Sequence, residues 1–268
     1  DDGDSISDVD EIQNGTNPLL VDTDHDGLSD DWELANGRNP LVADYQVSLS
    51  GWHTCALDDT GLVCWGLNGD GQTDVPPLSN PAQVSLGGGH TCALDDTGVV
   101  CWGWNGHGQT DVPPLSNPTQ VSLGSGHTCA LDDTGVVCWG RNDDRQTDVP
   151  PLSNPRQISL AETGFHTCAL DDTGVVCWGD NEASQTDVPP LSNPTQVSLG
   201  ESHTCALDDT GVVCWGSNGD FQTDVPPLMI DPDNDGFSNQ FGADSFPFDP
   251  SASKDFDGDG LPDDWNAG

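Results

Sequence analysis

The chain has 268 residues, with 46 acidic and five lysine or arginine side chains, and a formal charge of −41. Such a surface repels nucleic acid and anionic membranes and attracts cations. Hydrophobic residues make up 33% of the chain, beside 32 glycines and 20 prolines; this argues against a helical globule and for many short strands with dense turns, and no run of about 18 apolar residues offers a membrane span.

Three stretches follow one another: residues 1–45, 46–228 and 229–268. The first reads as calcium loops. Asp22-Thr23-Asp24-His25-Asp26-Gly27-Leu28-Ser29-Asp30-Asp31-Trp32-Glu33 fits D-x-D-x-D-G-x5-E at every position. A hard cation needs six to eight oxygens, so Asp22, Asp24 and Asp26 point inward and Gly27 makes the sharp turn. Leu28 offers its carbonyl, Asp30 acts at the ninth position, and Glu33 closes the site with both oxygens. Asp2, Asp4, Asp8 and Glu11 repeat the design 22 residues earlier, with Ser5 in place of the glycine. Asn14-Gly15 and Asn36-Gly37 read as helix stops. The expectation is one short helical turn near Asp8–Gln13 and another near Asp30–Ala35. Because the chain opens inside such a motif, it is expected to be a segment of something longer. This spacing resembles thrombospondin type 3 and related bacterial calcium repeats, and the resemblance implies metal-cored stalks with little hydrophobic core.

The central stretch repeats one phrase five times. His53-Thr54-Cys55-Ala56-Leu57-Asp58-Asp59-Thr60-Gly61-Leu62-Val63-Cys64-Trp65-Gly66 returns from His90, His127, His166 and His203, in steps of 37, 37, 39 and 37 residues. A repeat of this length means an array of one small unit. The second unit shows four strand candidates, Gln83–Leu86, His90–Leu94, Val99–Trp102 and Gln109–Val112. The middle two form a hairpin across Asp95-Asp96-Thr97-Gly98. Setting Leu94 opposite Val99 sets Cys92 opposite Cys101, at a separation that suits a disulfide.

The expected disulfides are therefore Cys55–Cys64, Cys92–Cys101, Cys129–Cys138, Cys168–Cys177 and Cys205–Cys214. They use all ten cysteines and imply an oxidising compartment. The competing arrangement is a metal site using His90, Cys92 and Cys101, which alternate onto one face; no C-x-x-C knuckle accompanies it. Trp65, Trp102, Trp139, Trp178 and Trp215 are expected to supply most of the large apolar surface. The recurring histidine reads as a buried hydrogen-bonding group between strands, since no matched nucleophile or acid recurs beside it. The linking phrase Gln-Thr-Asp-Val-Pro-Pro-Leu-Ser-Asn-Pro reads as an edge strand running into an extended loop.

Gly89, His90, Ala93, Leu94, Gly98, Val100, Trp102, Gly103, Asn105 and Gln109 carry wording that resembles the regulator-of-chromosome-condensation repeat family. The resemblance covers all five units and implies mainly β structure, each repeat being a blade of a β-propeller-like array. Closure into a five-bladed ring and an open stacked β array are both compatible with it. The family's guanine-nucleotide exchange at chromatin is not carried over, because charge and disulfides oppose a nuclear setting. What the fold supports is a protein-binding scaffold. The copies differ just before the histidine and just after Cys-Trp-Gly. A repeat fold presents such equivalent loops on one face. Trp52, Trp104, Arg141, Arg145, Phe165 and Phe221 would be the anchors of a recognition surface there, and unconstrained loops would vary equally.

Calcium loops return in residues 229–268. One uses Asp231, Asp233 and Asp235, the carbonyl of Phe237, Asn239 at the ninth position and Asp244 as a displaced closing acid. The other uses Asp255, Asp257, Asp259, the carbonyl of Leu261 and Asp263, with Asn266 at the twelfth position.

The sequence thus suggests an extracellular, calcium-stabilised structural or adhesive segment of a bacterial surface or secreted protein. Calcium is its expected ligand. Further expected partners are a second copy of the chain, in a filament bridged by calcium, or another surface protein or glycan. No G-x-S-x-G, H-E-x-x-H or phosphate-cradling loop appears, so no enzyme is expected.

Overall fold

A computed structural model describes residues 6–18, 20, 23, 30, 31, 34, 40, 46–58 and 61–226, and the backbone alone of 252–254 and 264–265; within 6–18 the side chains of Asp8, Glu11 and Gln13 are not included. Helix α1 spans Asp8–Asn14. Ser7 caps it, accepting from the Asp10 amide at 3.3 Å and donating to the Asp10 carboxylate at 2.7 Å. Gly15, at φ +88°, ends it. The second expected turn, Asp30–Ala35, lies mostly outside the described residues. No helix among the described residues is long and apolar enough to cross a membrane.

The array is five antiparallel three-stranded sheets. The first holds β1 (Gln46–Leu49), β2 (His53–Asp58) and β3 (Gly61–Gly66); the second holds β4 (Gln83–Leu86), β5 (His90–Asp95) and β6 (Gly98–Gly103). The third holds β7 (Gln120–Leu123), β8 (His127–Asp132) and β9 (Gly135–Gly140); the fourth holds β10 (Gln157–Leu160), β11 (His166–Asp171) and β12 (Gly174–Gly179). The fifth holds β13 (Gln196–Leu199), β14 (His203–Asp208) and β15 (Gly211–Gly216). A short antiparallel pair, β16 (Ala252–Lys254) with β17 (Asp264–Trp265), was not anticipated; β16 ends just before the last calcium-loop sequence and β17 falls within it.

The hairpin register is the expected one, with Leu94 facing Val99 and Cys92 facing Cys101. All five cysteine pairs are disulfides, with Cα atoms 4.1 Å apart. They replace the alternative of a metal held by His90, Cys92 and Cys101. Asp95 shapes the turn: one carboxylate oxygen accepts from the Thr97 amide and hydroxyl, and the other from the Ser79 amide.

The fourth strand candidate, Gln109–Val112, is not a strand. Asn105 winds this segment by accepting from the Thr110 amide and donating to Asp111, while Gln109 Oε1 accepts from the His107 amide. Pro113 and Pro114 follow and lack the N–H that a ladder needs. The linking phrase therefore opens in a turn at Gln109–Thr110, runs as unpaired coil through Pro113 and Pro114, and bends at Ser116–Asn117.

Period-two alternation gives each sheet two faces. In the second sheet, Val84, Leu86, Thr91, Ala93, Val100 and Trp102 face the first sheet, and His90, Cys92, Leu94, Val99 and Cys101 face the third. The core lies between units. Cys55 and Leu57 pack on Val84 and Leu86, and Cys92 packs on Val121 and Leu123. The clusters are built mainly of disulfide, valine and leucine, with Trp178 the tryptophan among them. Full burial of one such aliphatic side chain is worth roughly 1.5–3 kcal/mol. The indole N–H of Trp102 donates to the Gln72 carbonyl of the preceding unit at 3.0 Å, and Trp139, Trp178 and Trp215 repeat the bond. Trp65, with no preceding unit, is 52% exposed.

The repeated histidine joins sheets rather than strands. His53 Nε2 lies 2.8 Å from Thr91 Oγ1, and His90, His127 and His166 reach Thr128, Thr167 and Thr204 at 2.9, 3.0 and 2.9 Å. Each threonine spends its single proton on a glutamine carbonyl, as Thr91 does on Gln72. The imidazole must therefore donate from Nε2, which leaves Nδ1 unprotonated. Nδ1 of His90, His127 and His166 is buried without a protein partner. A glutamine on the first strand adds a parallel tie: Gln46 Oε1 accepts from the Val84 amide at 2.7 Å, and Gln83, Gln120 and Gln157 repeat it.

Successive sheets pack in the order of the chain. Among the described residues the outer faces of the first and fifth sheets do not meet: Val47 and Leu49 are 58% and 67% exposed, against 3% for Val84 and Leu86. The array is open, with blade-like stacking. It curves so that the Gly51 amide donates to Glu162 in the fourth unit at 2.7 Å.

Burial holds the His90 and His127 imidazoles down to about 3 and His166 to about 4, and lowers His53. The unfolded chain takes up protons on these groups below about 6.5 while the folded chain does not. Stability is therefore fully present above about pH 6.5 and falls as pH drops towards 3. Urea unfolding at pH 7.5 and pH 5 checks this; equal midpoints would contradict it.

Candidate functional site

The phrase after Cys-Trp-Gly builds the same loop in every unit. Asn68, Asn105, Asn142, Asn181 and Asn218 each accept from the amide five residues on, at 3.0 Å. The glutamine side chain that follows accepts from the amide two residues before it. Gln72, Gln109, Gln146 and Gln185 are buried. These repeated residues are framework, and the residues between them vary.

The framework places the two variable positions of a unit side by side. The Leu67 amide donates to the Trp52 carbonyl, Trp104 to Gly89, Arg141 to Gly126, Asp180 to Phe165 and Ser217 to Ser202. Trp52 and Trp104, from adjacent units, line one cleft of ≈ 340 Å³ with Asp70, Gly88, Ser125 and Thr163. Trp104 meets His107 edge to face, centroids 5.1 Å apart. The Arg141 guanidinium lies 4.4 Å from the Phe165 ring centre, and its Nε pairs with Asp143 at 2.8 Å.

Trp52 with Trp104, and Arg141 with Phe165, are thus brought together. No ring contact or ion pair among the described residues joins Arg145 or Phe221 to them. Both stand where the first two units have Gly71 and Gly108, in the left-handed region at φ +62° and +65°. Phe221 is 75% exposed.

Two larger recesses, of ≈ 510 and ≈ 550 Å³, lie at the hairpin turns of the third and second units. They are lined by framework. Burial would raise the Asp95 and Asp132 carboxyls, but bonds from the Ser79 or Ser116 amide and from Thr97 or Thr134 outweigh it and hold both below the usual range. Asp171 behaves likewise; at Asp208 the Ser192 amide is the largest influence and the direction is the same.

In the N-terminal flank Asp30 is fully buried. Its two oxygens accept from the Thr23 amide at 2.7 Å and the Thr23 hydroxyl at 2.6 Å, and Thr23 Oγ1 accepts from the Asn17 amide. A carboxylate buried on neutral donors keeps lone pairs for a cation, so the donor chemistry fits calcium. The other expected ligands Asp2, Asp4, Asp22, Asp24, Asp26, Leu28 and Glu33 lie outside the described residues, as do Asp231, Asp233, Asp235, Phe237, Asn239, Asp244, Asp255, Asp257, Asp259, Leu261 and Asp263. Asp8 and Glu11 lie on α1, described by backbone alone. The described residues contain no group of three metal-ligating side chains.

Sequence reasoning did not identify Asp95 and its equivalents, the threonine relay, or Glu162. The first two repeat in every unit, which was a usable signal. Glu162 lies in the one unit whose step is longer by two residues.

Residues 45–72, 82–109, 119–146, 159–185 and 195–222 match the family model of the regulator of chromosome condensation (RCC1) repeat, and residues 1–20 and 22–43 that of the bacterial TSP3 repeat. No curated protein matches the chain. Among solved structures, the ectodomain of the Physcomitrella patens receptor kinase CR4 is 26% identical, with a TM-score of 0.56, over 67% of this chain and 53% of that one. The CRINKLY WD40 ectodomain of the Arabidopsis thaliana receptor kinase ACR4 is 25% identical, with a TM-score of 0.52, over 64% of this chain and 63% of that one. Prp20p from Saccharomyces cerevisiae shares the fold at 19% identity, with a TM-score of 0.59, over 73% of this chain and 62% of that one. The chain thus spans between half and two thirds of these proteins' lengths.

A non-glycine residue in the left-handed region costs roughly 1–2 kcal/mol, partly offset by the greater unfolded-state freedom of glycine. Arg145→Gly and Phe221→Gly are expected to leave stability unchanged or to raise it by up to about 1 kcal/mol. Chemical denaturation measures this; a clear loss would mean that these side chains make contacts the fold needs.

Proposed function

The chain belongs to the RCC1 repeat family, and from that premise we propose that it is an extracellular, calcium-stabilised structural and adhesive segment of a bacterial surface or secreted protein. The observation that carries this reading is the disulfide closing every hairpin of the array, because such bonds persist in oxidising compartments. The bacterial TSP3 match of the N-terminal flank and the two receptor-kinase ectodomains support it. Asp22, Asp24, Asp26, Asp30 and Glu33 would hold calcium in the complete loop. Bound calcium supplies charge neutralisation and cross-links carboxylates that otherwise repel one another. The acidic flanks also give neighbouring chains a calcium-bridged route to association. The reading assigns no catalysis to the chain.

A second reading has one specific observation in its favour. Trp52 and Trp104 converge on a cleft at the variable face, and paired aromatics beside polar groups suit a surface protein or glycan. Replacing both with alanine would abolish retention on a target cell surface if the array recognises it, and would change nothing if the array is a spacer.

Limited proteolysis tests the calcium role. A chelator is expected to speed cleavage within residues 1–45 and 229–268 while the disulfide-closed array stays resistant. Unchanged flank cleavage would contradict it.

A further inference from the structure

The four junctions inside the array define a complete interface, and each end of the array carries half of another. At an interior junction the leading sheet contributes a disulfide, a leucine, the histidine and the first-strand glutamine. The following sheet contributes two aliphatic residues of its first strand, the threonine and the tryptophan. Among the described residues the first sheet has no leading neighbour: Val47, Leu49, Val63 and Trp65 are 58%, 67%, 57% and 52% exposed. Thr54 and the Trp65 indole, whose equivalents bond to the preceding unit, have no partner among the described residues.

Among the described residues the fifth sheet has no follower. Leu207 is 41% exposed, where the equivalent Leu57 and Leu170 are 0% and 4% exposed. His203 and Gln196 lack the threonine and the amide that their equivalents hold, and Gln222 is only partly buried where its four equivalents are fully so. The side chains named on both faces are apolar or uncharged polar, apart from the imidazole, although the chain as a whole carries −41. Among the described residues the two ends do not meet within one chain.

We propose that the fifth sheet of one copy docks on the first sheet of a second copy and continues the array head to tail. His203 Nε2 would donate to Thr54 Oγ1 of the second copy. Gln196 would take the Val47 amide, and Thr54 and Trp65 would donate to the Gln222 carbonyl, as the four interior junctions already do. The occupant is a second copy because the chain itself supplies the matching half of each face. Such an interface is heterologous and pairs unlike faces, so each bound copy leaves a free face at either end of the assembly. The docking is independent of calcium and of the surface location proposed above.

Analytical ultracentrifugation of the full chain across a wide concentration range, in moderate salt with calcium or with chelator, tests it. The wild type is expected to grow with concentration in both. Val47→Lys with Leu49→Lys blocks the leading face, and Leu207→Lys with Ser198→Lys blocks the trailing one. Each variant alone should stay monomeric with unchanged far-UV circular dichroism. An equimolar mixture of the two should double in mass and grow no further, because only one competent pair of ends remains. Three outcomes would overturn the proposal: a monomeric wild type, growth that the substitutions do not affect, or growth abolished by chelator. The last would assign assembly to the acidic flanks, and the first would leave the faces to another occupant such as residues 229–268.

Discussion

The fold depends on a neutral imidazole held between sheets. Each hairpin is too small to bury its own apolar faces, so the core exists only where one unit meets the next. At that meeting the histidine donates to a threonine, and the threonine hydroxyl donates to a main-chain carbonyl that also accepts from an indole N–H. The imidazole Nε2–H, the threonine hydroxyl and the indole N–H are all paired there, and the disulfide packs beside them. Removing any one of these groups would leave another buried polar group unpaired. Protonation at Nδ1 would add a charge and a donor with no acceptor, which is why burial holds these rings neutral.

The disulfide has a separate part. It bridges a hairpin across nine residues of sequence, so it restricts a short loop of the unfolded chain. Its greater structural effect is to present a flat apolar patch, Cys92 with Cys101, to the valine and leucine of the next sheet. Stability in such an array is close to a sum of unit and neighbour contributions. Among the described residues the end units each lack one neighbour, and their outer faces are correspondingly exposed.

The hairpin could be read directly from the chain, because a two-residue turn between Asp95 and Gly98 sets every cross-strand pair, the cysteines included. Gln109–Val112 misled, since an alternating pattern looks like a strand until the Asn105 and Gln109 side chains are seen to wind it. Thr91 sits between a histidine and a cysteine and reads as an ordinary strand residue; its bonds reach carbonyls and rings in other units, which no local pattern encodes. The variable positions could be identified as variable, but that Trp52 and Trp104 share a cleft follows only from the Trp104-to-Gly89 hydrogen bond and the stacking of the first two units. In the flanks, spacing gives only the expected ligands; of these, Asp30 is buried and tied to Thr23.

The most direct test of this account is a double-mutant cycle across one interior junction. His90→Ala, Thr128→Val and the double variant would be compared by urea unfolding at neutral pH. The account predicts a coupling of about 1 kcal/mol or more between the two sites, because each loses its buried partner when the other is removed. Effects that simply add, within about 0.5 kcal/mol, would contradict the claim that this relay joins the sheets.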